Sequence, residues 1–292
     1  MDNPLAEAAT ESRDEALVAQ ARSGDREALE QLLTHHQPWV LNIAMRMLWR
    51  RADAEDATQE ILIKIVKGLS GFRGESAFRT WLYRIAVNHI LDLQRQGWTV
   101  SAPLRSFADR DRILASTPDL DLPDPRTVPV PLEILVEEAK IGCTTGVLLC
   151  FDGRQRLVFI LGEILGATDD AGAEIVGVMP ANFRQILSRA RRDLYKYLNG
   201  SCSLVNPGSA CKCARKTGGF LQKGLLDPEK LQFTSDCRRR VREVVSARAD
   251  ELWQAYEAFG ANVYRDHPFY ECSDPAAMLR KVLATLSPDL LT

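Results

Sequence analysis

Apolar residues recur three or four positions apart through nearly all of the first hundred residues, a period that fits helices and not the alternation of strands. Leu29, Leu32, Leu33, Trp39, Val40, Ile43, Met47 and Leu48 follow the stretch SGDREALEQLL, where Ser23 or Asp25 can cap and Glu27 and Glu30 suit the first turn. In DAEDATQEILIKIVKGL, Asp53 is placed to cap with Asp56 three residues on. Ala57, Ile61 and Ile65 mark one face of that helix, Leu62, Val66 and Leu69 widen it, and Gly68 and Gly71 close it. A further helix is expected from about Ser76 to Gln94.

The pattern breaks at residues 98–130. STPDLDLPDPRTVPVP packs prolines and acids without periodicity and reads as an extended, flexible linker. Helical spacing resumes at Leu132, and between Arg154 and Leu198 three helices are divided by Gly166 and Gly177. After Asn199-Gly200 comes a loop-rich, cysteine-bearing segment. Helices expected at about 227–260 and 275–286 belong by periodicity to neither earlier domain. A chain of 292 residues is long enough for two domains or three small ones. The expected architecture is all-α: helical domains at 14–97 and 131–199, a linker at 98–130, and an extension at 200–292.

A net charge of −2 excludes a uniformly basic coat, so a polyanion site has to be local. Arg184, Arg189, Arg191, Arg192 and Lys196 supply one, against the single acid Asp193. The first residues carry no basic stretch followed by an apolar run, and no segment approaches the roughly 18 apolar residues of a membrane span. A cytoplasmic protein without membrane contact is expected. Seven cysteines, an odd number, argue against a disulfide framework.

A short helix over about Asp169–Val176, a turn at Gly177-Val178 and a second helix opened by Pro180 have helix-turn-helix spacing. Ala181, Asn182, Arg184, Gln185, Ser188 and Arg189 can face outward on the second helix, over an inner face of Phe183, Ile186, Leu187 and Ala190. Asn, Gln and Arg pair bidentately with base edges in the major groove. Arg191, Arg192 and Lys196 suit phosphates. The pattern also fits an ordinary helical hairpin with a solvated basic face.

Asp53, Asp56 and Glu60 share a helix face at i, i+3 and i+7, with Gln59 beside them. This is either a solvated first turn or a docking face for a basic partner. The stretch FRGESAFRTWLYRIAVNHILDLQRQ crowds Phe72, Phe78, Trp81 and Tyr83 among Arg73, Arg79, Arg84 and Arg95. Aromatics beside arginines can stack an unpaired base and hold its backbone, yet the same spacing makes an amphipathic core helix. Leu82, Ile85, Val87 and Leu91 are assigned to packing.

DAEDATQEILIKI, then FRGESAFRTWLYRIAVNHILDLQRQ, then a linker, then RQRLVFILGEILGATDDAGAEIVGVMPANFRQILSRARRDL together resemble a bacterial RNA polymerase sigma factor of the extracytoplasmic-function (ECF) group. The likeness runs from about Asp14 to Leu198. It implies that 14–97 is sigma region 2 and 131–199 sigma region 4. The implied docking residues for core RNA polymerase are Asp53, Glu55, Asp56, Gln59 and Glu60. Phe72, Arg73, Ser76, Phe78, Arg79, Trp81, Arg84, Asn88 and Arg95 would recognise and melt the −10 promoter element. Asn182, Arg184, Gln185, Ser188, Arg189, Arg191 and Arg192 would read the −35 element. The implied partners are core polymerase, promoter DNA and an anti-sigma factor; the protein would catalyse nothing and require no cofactor. The rival reading is a conventional helix-turn-helix regulator that does not bind core polymerase. The chain departs from the family at TDDAGAEIV, where Gly172 inside a helix costs about 1 kcal/mol against Ala.

The extension at 200–292 carries Cys202, Cys211 and Cys213, with Cys237 downstream: four thiols, enough for a tetrahedral zinc or other metal site. Redox-responsive thiols and packing cysteines fit the same residues. The extension is expected to regulate the chain in cis.

Overall fold

A computed structural model describes residues 8–96, 106–232 and 272–285, and all regular structure among them is helical. In chain order the helices are α1 (Ala8–Arg22), α2 (Arg26–Leu48), α3 (Arg51–Gly68), α4 (Phe78–Arg95), α5 (Phe107–Ser116), α6 (Leu132–Gly146), α7 (Gly153–Phe159), α8 (Asp169–Val176), α9 (Pro180–Ser201), α10 (Cys213–Gln222) and α11 (Pro275–Ala284). Two compact units result. Among the described residues, one takes 8–96, 160–185 and 272–285, and the other takes 106–159 and 186–232.

The first unit is built on α2. Asp25 caps it, accepting from the backbone N–H of Glu27 at 2.9 Å and of Ala28 at 3.1 Å. Leu29, Leu32, Leu33, Val40, Ile43 and Met47 are buried as α1, α3 and α4 pack around it. One buried polar chain crosses this core: His36 lies 3.1 Å from the Asp14 carboxylate and 3.3 Å from the Tyr83 hydroxyl. Helix α3 begins one turn earlier than the sequence suggests, with Arg50 at the cap position and no side-chain cap bond. Asp53 therefore does not cap; it sits inside the first turn, 3.7 Å from Arg50 Nε.

Thr168 caps α8, accepting from Ala171 N–H at 3.2 Å, and Gly177 ends it with φ +72°, a left-handed conformation that glycine adopts without strain. Gly172 is explained by packing. A Cβ there would stand 2.4 Å from the Phe183 ring, so the flat ring of α9 lies on the bare backbone of α8. Gly172→Ala is expected to destabilise the first unit by about 1–3 kcal/mol through overpacking, although Ala is the better helix former. Denaturant unfolding checks this, and a stabilised variant would refute it.

In the second unit the segment expected as a flexible linker is partly helical and pinned. Ser106 caps α5, accepting from Asp109 N–H. Lys216 Nζ donates to the carbonyls of Leu114 at 2.8 Å and Thr117 at 2.6 Å, and Leu120 N–H donates to Arg215 O at 3.1 Å. Paired glycines of α10 allow that closeness: a Cβ on Gly219 would fall 2.1 Å from Pro118 O. Proline content suppressed the helical signal, while α10, more than 90 residues on, supplies the hydrogen-bond partners. Leu135, Ala139 and Leu226 form a core joined by Val128, Val130, Phe220 and Leu231, so α10 and the turn after it are integral to this unit. Residues 227–232, expected to start a helix, form a turn; 233–260 lie outside the described residues.

Candidate functional site

The acids of α3 are held in different ways. Asp56 and Glu60 are exposed, and Asp53, Glu55 and Gln59 are half-buried. Glu60 lies 3.1 Å from His89 Nε2, and Lys64 Nζ approaches His89 Nδ1 at 2.6 Å. Burial and the nearby lysine charge lower the His89 pKa, although Glu60 works against them. His89 was missed because its helical spacing reads simply as core.

Glu55 has a partner that is far away in sequence. Its Oε1 accepts from Arg51 Nε at 3.1 Å and from the backbone and hydroxyl of Ser273 at 2.9 and 2.8 Å. Burial alone would raise the Glu55 pKa; these hydrogen bonds outweigh it and leave the carboxyl below the ordinary value. Ser273 leads into α11, whose N-cap Asp274 accepts from Ala277 N–H. Gln37 Nε2 lies 3.4 Å from Pro275 O and 3.3 Å from Met278 Sδ, and Met278, Leu279, Val282 and Leu283 are buried. Helix α11 thus packs on α2 and α3, beside the acidic face.

The stretch from Phe72 to Arg95 divides into two layers. Phe78 is 1% exposed, with ring centroids 5.8 Å from His36, 5.5 Å from Phe72 and 5.6 Å from Trp81. A buried ring cannot stack a base, so Phe78 is corrected from a surface residue to a support for its neighbours. Phe72 and Trp81 are half-buried, with centroids 5.3 Å apart, as are Ser76 and Arg79. Arg73, Arg84, Asn88 and Arg95 are exposed. Arg95 pairs with Asp92 at 2.8 Å, and Arg84 Nη2 meets Glu174 Oε1 of α8 at 3.3 Å. Ile85 and Leu91, assigned to packing, are only half-buried.

On α9, Asn182, Arg184, Gln185, Ser188, Arg189, Arg191 and Arg192 are all exposed, while Phe183, Leu187 and Ala190 are buried and Ile186 is half-buried. Arg184 Nε lies 3.6 Å from Asp169. A helix with one sealed face and one face rich in Asn, Gln and Arg has the donors and acceptors that major-groove recognition needs. Cys202, Cys211 and Cys213 are half-buried free thiols. Cys237 lies outside the described residues.

Residues 32–99, from within α2 through α4, match the family described as Sigma-70 region 2. The RNA polymerase sigma-H factor of Pseudomonas aeruginosa is 40% identical over 79 residues, covering 27% of this chain and 41% of that protein. The ECF RNA polymerase sigma-E factor of Haemophilus influenzae is 45% identical over 75 residues, and that of Escherichia coli K12 is 43% identical over 75; each match covers 26% of this chain and 39% of the relative. The chain thus spans about two fifths of the length of these relatives. A solved structure described as CnrH in complex with the cytosolic domain of CnrY is similar with a TM-score of 0.46 and 24% identity, over 64% of this chain and 97% of that one. The bundle around α2 is a sigma-70 region 2. Over this segment the chain is similar to ECF RNA polymerase sigma factors.

Proposed function

We propose that this chain directs core RNA polymerase to specific promoters and has no catalytic role of its own. The observation that carries the reading is a sigma-70 region 2 spanning α2–α4, whose α3 displays Asp56 and Glu60 and whose α4 displays Arg84 and Asn88. In this reading the acids of α3 dock on a basic surface of the polymerase. The Phe72–Trp81 rim with Arg73 and Arg79 takes unpaired −10 bases, and the outer face of α9 reads the −35 element in the major groove. Its place of work is the cytoplasm, with the polymerase. No helix among the described residues is long and apolar enough to cross a membrane.

Transcription reconstituted with purified core polymerase on a library of genomic fragments tests the reading. Promoter-specific initiation is expected. Duplex binding without core association, and without initiation, would identify a conventional helix-turn-helix regulator instead.

Helix α11 supports a cis-acting role for the C-terminal extension, because it engages Glu55 on the docking helix. A polymerase that needs Glu55 has to displace Ser273, and the fraction of chains with α11 undocked then scales the apparent affinity. Met278→Glu, which places a charge in the buried contact, is expected to raise core affinity about tenfold. Unchanged affinity would show that docking uses the Asp56–Glu60 side alone. Because the bound Glu55 has a depressed pKa, its contribution to α11 docking is present above the ordinary carboxylate range and is lost as pH falls through the lowered value. An anti-sigma partner would meet the same surface and compete with α11.

A further inference from the structure

Four cysteines from separate parts of the chain lie in the second unit, near enough for their charges to interact. Cys143 lies in the last turn of α6, Cys202 just follows α9, Cys211 is in the loop beyond it, and Cys213 opens α10. Helices α6 and α10 pack against each other. Each of the four thiols lies within range of the charge of the other three. Of the remaining described cysteines, Cys150 is buried beside Arg110 and Arg156, and Cys272 lies near Glu55 and Arg51.

The loop that delivers three of these thiols is built rather than slack. Val205 N–H donates to Cys202 O at 3.1 Å and Asn206 N–H does so at 2.8 Å. Asn206 Nδ2 donates to Asn199 O at 2.9 Å, and Ser209 N–H to Asn206 O at 2.8 Å. Burial raises the Cys202 pKa, and the backbone N–H groups of Leu204 and Val205 work against it. Donors directed at sulfur favour thiolate over thiol. Cations surround the group. Arg110 Nη2 donates to Cys143 Sγ at 2.6 Å, the charges of Lys216 and Arg110 act on Cys211, and that of Lys140 acts on Cys213. Packing cysteines require neither convergence nor backbone donors at sulfur.

We propose that Cys143, Cys202, Cys211 and Cys213 together bind one soft or borderline metal cation, of the class to which zinc(II) belongs. Four thiolates suit zinc(II), and also copper(I) and cadmium(II), better than magnesium, calcium or manganese. Each thiol gives up its proton to solvent as its sulfur binds, so one divalent ion and four thiols yield a dianionic tetrathiolate and four protons. Arg110, Lys140 and Lys216 are placed to balance that charge. Each ligand sulfur has to lose its proton before it binds the ion. Binding therefore strengthens as pH rises. Among the described residues, the group of three metal-ligating side chains whose ligand atoms all lie within 4.8 Å is Asp14, His35 and His36, whose Asp14–His36 pair belongs to the hydrogen-bonded core of the first unit. The thiols are spaced more widely and would close on the ion by side-chain rotation, with Arg110 leaving Cys143. Once closed, the site ties the end of α9 to α6 and α10, so the metal would brace the helix that carries the basic recognition face. The ligand set differs from the sequence expectation in one place: Cys143 takes the position given to Cys237.

The test uses the full chain. Metal-free protein is titrated with cadmium(II), and thiolate-to-metal charge-transfer absorbance, proton release and bound metal are followed. Wild type is expected to bind one ion per chain. Cadmium is expected to protect Cys143, Cys202, Cys211 and Cys213 from alkylation while Cys272 keeps reacting. Cys143→Ser should weaken binding at least about 100-fold, since even outer-shell changes cost 10–100-fold. Cys150→Ser and Cys237→Ser should bind as wild type. The protection pattern is read on unmutated protein, so it decides the matter even if Cys143→Ser misfolds. Absence of stoichiometric binding, or protection of Cys237 in place of Cys143, would overturn the proposal.

Discussion

Asp56→Arg is expected to abolish binding to core RNA polymerase. Asp53, Glu55 and Glu60 are each engaged, by Arg50, by Arg51 with Ser273, and by His89 respectively. Asp56 presents its carboxylate to solvent at the centre of the same face. A partner helix that is basic gains from that charge in the complex, and arginine turns the gain into repulsion. Like-charge juxtaposition across an interface costs about 3 kcal/mol, a loss of at least about 100-fold in affinity. The exposure of Asp56 means the fold should not suffer, and an unchanged far-UV spectrum checks that. Binding of labelled protein to purified core reads the effect. Wild-type affinity would reject α3 as the docking surface. The wild-type interaction should also weaken with added salt, because the charges that meet are solvent-exposed before docking.

The second large effect is structural. Arg156 is 8% exposed, and its guanidinium donates to Leu148 O at 2.9 Å, Leu149 O at 2.9 Å and Phe151 O at 3.1 Å. These carbonyls end the tight turn Val147–Cys150, where helical partners run out. Burial lowers the Arg156 pKa to about 10, so the side chain stays charged at neutral pH and its hydrogen bonds are charge-assisted. Arg156→Ala removes the guanidinium from three carbonyls, of which Leu148 O keeps the Phe151 N–H, and leaves a cavity where the fork lay, at a cost of about 3–5 kcal/mol. The melting temperature of the second unit should fall by on the order of 10 °C. Arg156→Lys should recover only part of the loss, since one ammonium cannot reproduce the planar fork. A change under about 1 kcal/mol for Arg156→Ala would mean that water replaces the guanidinium and the site is not dry.

Local chemistry made much of the architecture legible. The Asp25 cap, the end of α3 at Gly68, and the Gly177–Pro180 punctuation between α8 and α9 all depend on residues within a few positions of each other. The outward set on α9 was equally legible, because a 3.6-residue period assigns faces without knowledge of what covers them. Phe78 shows the limit of that reasoning. An aromatic beside an arginine suits a core or a nucleic-acid surface equally well, and only the arrival of His36 and Trp81 closes the ring away.

The sequence by itself determined a helical architecture, a region 2 bundle with an acidic α3, and a helix with one exposed face rich in Asn, Gln and Arg, since period, caps and charge spacing are properties of neighbouring residues. The tertiary structure decided the rest. It brought Phe183 onto Gly172, Ser273 onto Glu55, Lys216 onto the residue 114–117 carbonyls, and Cys143 among the thiols of a segment some 60 residues later. No local rule encodes those meetings. Each joins residues whose separation along the chain carries no periodic signal, and each is held by packing and hydrogen bonds that exist only once the helices have come together.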